Sequence, residues 1–357
     1  MAEHFHALMV EEVVPETDEA VSIRFAVPPE LAEQYRFKAG QHLTLMGIVD
    51  GEEVRRNYSL CTAPGEGALT VTVKRIAGGL FSNWANDNLK AGTRIAVMPP
   101  HGSFTVPFAA ENARRYVAIA GGSGITPIIS LIRTALGTEP DSRFTLFYGN
   151  RDSRSIIFLE ALADLKDRYL GRLEVFHFLA EEEGDVPLFN GMLDAARCGE
   201  AVDQLIPDPT GVDEWFICGP GPMMDSAEQV LLERGIQKQR IHIERFTAGR
   251  PSAGEAAVIA RVQQQAAGVT IAVTLDGRTR KIEFDGTNIL DSARKAGMPA
   301  PFACKAGVCA TCRAKLVGGK VEMAVHYGLT DEEIADDYVL TCQSVPSGEG
   351  VAVDYDA

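Results

Sequence analysis

The sequence predicts three folds in succession: an antiparallel β-barrel, an α/β domain around a parallel sheet, and a small α+β domain. Period-two alternation of apolar and polar residues fills the first hundred positions between turn residues. From about Tyr116 short apolar runs alternate with helical stretches, and near the end strand patterning returns around a cluster of cysteines. These changes divide the chain into 1–110, 111–246, a linker at 247–268, and 269–357. A length of 357 residues accommodates two or three domains of roughly 150 residues each.

In the first segment Val21, Ile23, Phe25 and Val27 alternate with Ser22, Arg24 and Ala26, and Leu69, Val71 and Val73 alternate with Thr70 and Thr72. Pro28-Pro29, Ala39-Gly40, Asp50-Gly51, Pro64-Gly65 and Pro99-Pro100 supply turns. Many short strands at this spacing favour a closed barrel, which hides its edges. The second segment reads as strand Tyr116–Ala120, a Gly-rich turn, helix Ile128–Leu136, strand Phe144–Tyr148, helix Ser155–Tyr169 and strand Leu173–Leu179. Strand Trp215–Cys218, helix Met223–Arg234 and strand Ile241–Phe246 complete it. Such βαβ units give a parallel sheet whose ligands bind beyond the carboxyl ends of its strands. Thr247 to Gly268 has linker composition, with Val258–Gln265 able to form a helical turn or two. The last segment predicts strands Val269–Leu275 and Arg278–Phe284 about an Asp276-Gly277 turn, then helix Ile289–Lys295 stopped by Gly297.

Thirty-four basic and 49 acidic residues leave a net charge of −15, which excludes a basic face for nucleic acid or an anionic membrane. The uncharged stretch Tyr116–Ile132 is short and broken by Gly121, Gly122, Gly124 and Pro127, so no membrane span is expected. Glu3, Glu11 and Glu12 in a start without a basic region argue against a secretory signal, and the expected location is the cytoplasm. In that reducing compartment the seven cysteines are not expected to form disulfides, and clustered thiols point to metal.

Cys304, Cys309 and Cys312 are spaced C-x4-C-x2-C, and Cys342 follows strand-like Tyr338–Leu340. This is the plant-type [2Fe–2S] pattern, three thiolates from one loop and a fourth from a distant segment. Structural zinc, usually held by two paired motifs, is the alternative, and with it a zinc-stapled interaction module that is no enzyme. Small residues between the cysteines would let backbone N–H groups reach the sulfurs. Cys61 and Cys198 read as small buried apolar residues, and the seven histidines as surface or satisfied core residues.

Arg56-Asn57-Tyr58-Ser59 combines a phosphate-binding fork, a ring that can lie on a heterocycle, and a hydroxyl; alone it could equally be an edge strand with one exposed arginine. Gly78-Gly79 before Ser82 opens a helical stretch, Asn83–Leu89, and a helix N-terminus with glycines permits close approach of a pyrophosphate. Gly121-Gly122-Ser123-Gly124-Ile125-Thr126-Pro127 joins a strand to a helix, but Pro127 and Ile125 depart from the dinucleotide and serine-hydrolase signatures respectively.

Together R-x-Y-S, GG-x-x-S, GGSGITP, Tyr148-Gly149-Asn150-Arg151 and CGPGPMM resemble the ferredoxin–NADP⁺ reductase superfamily, with a plant-type ferredoxin behind it. That resemblance implies an FAD-binding barrel, an NAD(P)-binding α/β domain and a β-grasp ferredoxin domain. By it, Arg56 would bind flavin phosphates, Tyr58 would stack on the isoalloxazine and Ser59 would bond near flavin N5. Leu60, Val73 and Lys74 would adjoin the flavin, Gly79, Leu80, Phe81 and Ser82 would cradle the pyrophosphate, and Phe246 would cover a flavin face. Gly122, Gly124, Thr126, Asn150, Cys218, Gly219 and Pro220 would meet the nicotinamide nucleotide, with Gly221-Pro222 a stiffer continuation than in relatives. Arg151, Ser153 and Arg154 would meet the ribose. Two guanidiniums suit a 2′-phosphate, which favours NADPH and leaves NADH open. Cys304, Cys309, Cys312 and Cys342 would hold the [2Fe–2S] cluster. The implied activity is an oxidoreductase passing electrons from NAD(P)H to the oxygenase component of a multicomponent monooxygenase. Stretches such as Phe37–Leu45 and Ile217–Glu228 are similar to the reductase component of phenylacetyl-CoA 1,2-epoxidase in phenylacetate degradation, with a steroid 9α-hydroxylase or another ring-hydroxylating oxygenase as the alternative client.

Overall fold

The computed structural model describes residues 5–246, 261–263 and 266–357. The chain forms two compact units, one built from His6–Val54 with Tyr58–Glu244 and another dominated by residues from Arg245 onward.

The first unit opens with β1 (His6–Thr17), β2 (Ala20–Ala26), β3 (His42–Val49), β4 (Glu52–Ser59) and β5 (Leu69–Lys74). The nine-residue helix α1 (Leu80–Asn88) and β6 (Arg94–Val97) complete its barrel. These strands form one sheet in the order β4-β3-β6-β1-β2-β5. A bridge between Leu60 and Val71, with Cys61 N–H donating to Thr70 O at 3.0 Å, brings the two outer strands together and closes the barrel. Closure leaves no long unpaired edge. Leu8, Ile23, Leu45, Val71 and Phe81 pack inside. The twelve-residue β1 is longer than short-strand patterning suggests, because shifts in register at Val10/Glu12 and Pro15/Thr17 bend it around the barrel.

The same unit continues with β7 (Arg115–Gly121), α2 (Ile125–Thr138), β8 (Arg143–Asn150), α3 (Leu159–Arg168), β9 (Leu173–Leu179), α4 (Ala195–Leu205), β10 (Glu214–Cys218), α5 (Gly221–Glu233) and β11 (Ile241–Glu244). All five strands are parallel, in the order β11-β10-β7-β8-β9. Alternation along β7 sends Tyr116, Ala118 and Ala120 to one face and Val117 and Ile119 to the other, so helices cover both. From β7 the chain steps outward through β8 to β9, then crosses back to β10 on the other side of β7. That switch point opens a crevice at the carboxyl ends of β7 and β10.

Several predicted boundaries move. The helix expected over Ser155–Tyr169 is a 3₁₀ turn at Ser153–Ser155 followed by α3, because Asp152 and Ser155 form a reciprocal cap and Phe158 adopts φ 64°. Helix α2 begins three residues earlier than Ile128, and the last strand stops at Glu244, before Phe246. Helix α4 was not expected; Gly199 weakens its pattern, while Asp194 caps Arg197 N–H and Cys198, Ala201 and Val202 bury its inner face. Of the stretch Val258–Gln265, Arg261–Gln263 are helical and the remainder, like Thr247–Arg250, lies outside the described residues.

The second unit contains β12 (Thr270–Leu275), β13 (Arg278–Glu283), α6 (Ile289–Lys295), β14 (Arg313–Gly318), β15 (Val321–Met323), the five-residue helix α7 (Asp331–Ala335), β16 (Tyr338–Leu340), β17 (Ser344–Pro346) and β18 (Ala352–Asp354). Its mixed sheet runs β13-β12-β18-β14-β16, with α6 packed over Ile271, Val273 and Leu340 in a β-grasp arrangement. Asp276 and Gly277 have φ of 52° and 70°, the left-handed pair a tight hairpin requires. Gly297, at φ 76°, ends α6 as its spacing predicts. No helix among the described residues is long and apolar enough to cross a membrane.

Candidate cofactor sites

At the crevice, two glycine turns lie main chain against main chain. A Cβ on Gly124 would fall 2.0 Å from Cys218 O, and one on Gly219 would fall 2.9 Å from Gly121 N. Gly122 has φ 51°, and its carbonyl accepts from Tyr148 Oη at 3.0 Å. Helix α5 starts without a side-chain cap, so the N–H groups of its first turn remain available to a ligand, and Pro222 suits that turn; α2 instead continues a 3₁₀ turn at Gly122–Gly124, whose carbonyls already take up the Ile125 N–H. Thr126 is buried and donates to Ser123 O at 3.0 Å. Cys218 is fully buried, and burial pushes its thiol well above the ordinary range, the Glu244 carboxylate adding to the shift. Asn150, buried at the end of β8, has neither amide atom in a hydrogen bond within the protein. An orphaned amide at this depth fits a site completed by a ligand.

Beyond β8, Arg151 Nε lies 3.3 Å from Asp152 and its Nη1 3.7 Å from Glu19, while the Glu182 carboxylate accepts from Ser153 N at 2.8 Å. Arg154 is exposed beside them. Lys74 Nζ, 3.9 Å from Glu19, comes within 3.8 Å of a Cβ on Gly122, so the barrel and the crevice share a boundary here.

On the barrel, Arg56 is exposed on β4, Tyr58 is half-buried with its ring 5.8 Å from that of Phe81, and Ser59 is buried. Helix α1 begins at Gly79 without a side-chain cap, leaving the first N–H groups free for an anion. A Cβ on Gly79 would fall 2.5 Å from Ser82 Oγ and 3.0 Å from Ile76 O, so the turn closes only with glycine. Leu60, Val73 and Phe81 are core residues and can serve a ligand through their backbones alone. Leu80 is exposed, as is Phe246 at 37%.

Two groups that composition and spacing did not single out stand next to Ser59. Its hydroxyl donates to Glu244 Oε2 at 3.1 Å, and His42 Nδ1 lies 3.7 Å from Glu244 Oε1. His242, paired with Glu214 at 2.8 Å, is a satisfied histidine as expected. His42 is a correction to that expectation: it is buried and neither ring nitrogen has a hydrogen-bond partner. Its neighbours lie some 17 and 200 positions away along the chain, so no local spacing could have revealed them.

In the second unit the four candidate thiols associate two by two. Side-chain hydrogen bonds link Cys304 with Cys309 and Cys312 with Cys342, and Cys309 is near enough to act electrostatically on Cys312 and Cys342 as well. A one-metal tetrahedron needs four ligands around a point, whereas a [2Fe–2S] rhomb needs two thiolates at each of two irons. Pairs fit the second. Ala306 N–H donates to Cys304 Sγ at 3.2 Å and Gln343 Nε2 to Cys342 Sγ at 3.6 Å, charge-stabilising contacts of the kind iron–sulfur sites use. The loop turns through left-handed Lys305, Gly307 and Ala310, and a Cβ on Gly307 would meet Val325 O at 2.8 Å.

Family models match this architecture segment by segment: an oxidoreductase FAD-binding domain at residues 8–106, an oxidoreductase NAD-binding domain at 118–229, and a 2Fe-2S iron-sulfur cluster binding domain at 273–347. The chain is 46% identical over 355 residues to one of the subunits of the 1,2-phenylacetyl-CoA epoxidase of Escherichia coli (strain K12), covering 99% of this chain and 98% of that one. The chain belongs to the flavin- and iron–sulfur-containing reductase components of oxygenases. This reductase is also 39% identical over 367 residues to the ferredoxin reductase component of 3-ketosteroid-9-alpha-monooxygenase from Mycobacterium tuberculosis (strain CDC 1551 / Oshkosh), covering 100% of this chain and 97% of that one. The crystal structure of phthalate dioxygenase reductase shares its fold, with a TM-score of 0.59 at 22% identity over 98% of each chain. The reductase is thus an oxidoreductase with FAD, nicotinamide and [2Fe–2S] domains in the order the sequence predicted.

Proposed function

We propose that this reductase carries electrons from NADPH through FAD and a [2Fe–2S] cluster to the oxygenase of a phenylacetyl-CoA 1,2-epoxidase system in phenylacetate degradation. The C-x4-C-x2-C loop of Cys304, Cys309 and Cys312 with Cys342 from a distant segment, within the residues 273–347 that match the 2Fe-2S domain, is the observation that carries the electron-transfer part of this reading. FAD held there would supply the exchange between a two-electron nicotinamide donor and the one-electron capacity of the cluster.

The chain's own groups hold and orient. Arg56 and the N–H groups of Leu80, Phe81 and Ser82 bind the FAD phosphates, with Gly79, whose own N–H closes the turn onto Ile76 O at 2.8 Å, admitting them closely; Tyr58 covers the ring, and Leu60, Val73 and Lys74 line the flavin pocket. Ser59 bonds near N5, and Phe246 is assigned to a flavin face. Gly122, Gly124, Cys218, Gly219 and Pro220 let the nicotinamide nucleotide approach, with Thr126 and Asn150 as polar contacts. Arg151, Ser153 and Arg154 receive the 2′-phosphate, against the nearby carboxylates of Asp152, Glu19 and Glu182. The domains run 1–110, 111–246 and 269–357, joined by 247–268, and the protein resides in the cytoplasm.

Electron transfer is tested with reconstituted protein: FAD, two irons and two labile sulfides should bind, NADPH should bleach both chromophores, and Cys342→Ser should abolish cluster reduction alone. A colourless, zinc-containing preparation overturns the reading. The client is tested by NADPH-driven turnover with the phenylacetyl-CoA oxygenase; coupling only to a steroid 9α-hydroxylase oxygenase would move the assignment there, the reading favoured by the 39% relative.

A further inference from the structure

Strand β18 sets the direction of the residue that follows it. Val351 and Val353 are buried in the core of the second unit, and two positions on, half-buried Tyr355 packs against the same core. A phenol sent inward needs a partner for its hydroxyl. It finds one in Thr341, donating to Oγ1 at 2.7 Å. Thr341 is fully buried and immediately precedes the candidate ligand Cys342. Its hydroxyl donates to the carbonyl of Cys312 at 2.9 Å, and its N–H reaches the same carbonyl at 3.2 Å. Two hydroxyls thus stand in file, from Tyr355 through Thr341 to the main chain of a second candidate ligand.

We propose that Tyr355 is a positioning residue that, acting through Thr341, raises the reduction potential of the [2Fe–2S] cluster, a role that rests on the electron-transfer reading above. Each O–H bond in the file points its hydrogen, the positive end, along the path to Cys312. An electron delivered from the nicotinamide donor adds one negative charge among the cysteines, with no bond made or broken. The positive ends of the file face that charge and favour the reduced state. Hydrogen bonds in series polarise one another, so the outer phenol strengthens the inner bond.

Both hydroxyls are held in place. Burial pushes the Tyr355 phenol well above its ordinary range, with Cys312 and Cys342 acting in the same direction, so the hydroxyl keeps its hydrogen. On the main chain, Tyr355 N–H donates to Thr274 O at 3.0 Å. The neighbouring Asp356 carboxylate accepts from Asp276 N at 3.0 Å and Gly277 N at 2.8 Å, tying this segment to the β12–β13 hairpin. Thr341 is fixed from α6, where Leu290 N–H donates to its carbonyl at 3.1 Å. A ring needed only for packing would be served by phenylalanine, with no oxygen to satisfy inside the fold.

The test is a potentiometric titration of the holoprotein, followed by the EPR signal of the cluster, at matched FAD, iron and labile sulfide. Tyr355→Phe keeps the ring and removes the outer hydroxyl. Its equilibrium constant for cluster reduction should fall about threefold, a shift of about 28 mV to lower potential for one electron. Thr341→Val removes the whole file and should lower the constant about tenfold, or about 59 mV. Thr341→Ser keeps the hydroxyl and should titrate as the parent does. The flavin potential should stay where it is in all three variants. If Thr341→Val assembles no cluster, Tyr355→Phe and Thr341→Ser still decide the matter. An unchanged cluster potential in Tyr355→Phe, or a flavin potential that moves equally, overturns the proposal. So does a Tyr355→Phe protein that cannot retain its iron, since the phenol would then be a structural tie. A parent that holds no iron and labile sulfide fails the electron-transfer reading instead.

Discussion

Gly124 is where the glycine turns meet most closely, and replacing it with alanine tests the crevice. The new Cβ would stand 2.0 Å from Cys218 O, roughly 1.4 Å short of ordinary contact, and 2.8 Å from Gly219 N. Neither atom can swing aside, because Cys218 pairs with Ala120 on one side and Glu244 on the other. The turns must separate, at the upper end of the about 1–3 kcal/mol that overpacking costs. For a domain of this size that lowers Tm by about 6–12 °C. If half of the displacement reaches the nucleotide, about 1.4 kcal/mol of binding is lost, a tenfold rise in KM for NADPH. Gly221→Ala is the control: a Cβ there meets nothing within 4 Å, and at the start of α5 it should be neutral or slightly stabilising. Thermal melts followed by flavin fluorescence, with NADPH-dependent dye reduction, read both quantities. If Gly124→Ala melts and binds NADPH as Gly221→Ala does, the interlocked-turn account is wrong.

Gly307→Ala combines φ 71° with a 2.8 Å approach to Val325 O, so it should lose iron and labile sulfide while keeping a full complement of FAD. Glu139 is fully buried and accepts from Asn112 Nδ2, Ser142 Oγ, Tyr116 Oη and Ala109 N; Glu139→Ala strands those donors and should cost about 3 kcal/mol or more in denaturant melts. His101, held down to about 3 when folded, binds its proton more readily unfolded, so stability is lost as pH falls from about 6.5 towards 3. His101→Gln should therefore lose less stability than the parent between neutral pH and pH 4 in urea titrations.

Where chemistry demanded a local pattern, the chain's order alone announced it. The spacing of Cys304, Cys309 and Cys312 is set by a loop wrapping one cluster, Asp276-Gly277 by the backbone of a tight hairpin, and Gly297 by the end of a helix. Strand Leu173–Leu179 and helix Ile289–Lys295 agree with their predicted limits because their apolar period matches the face they bury. Helix α4 escaped prediction because its burial comes from packing against α5 and the sheet, which few of its own residues advertise.

Sequence by itself determined the three domain types, their order, and the thiols and glycines that must sit at fixed intervals, since each of those constraints acts within a single loop or turn. Tertiary structure alone decided that Gly124 would lie on Cys218, that the thiols would associate in pairs, and that Ser59, Glu244 and His42 would share one buried corner. The last of these joins β3, β4 and β11, and only the closing of the barrel against the parallel sheet brings them within reach. Contacts across such distances leave no periodic trace in the chain, because each partner obeys the local rules of its own strand.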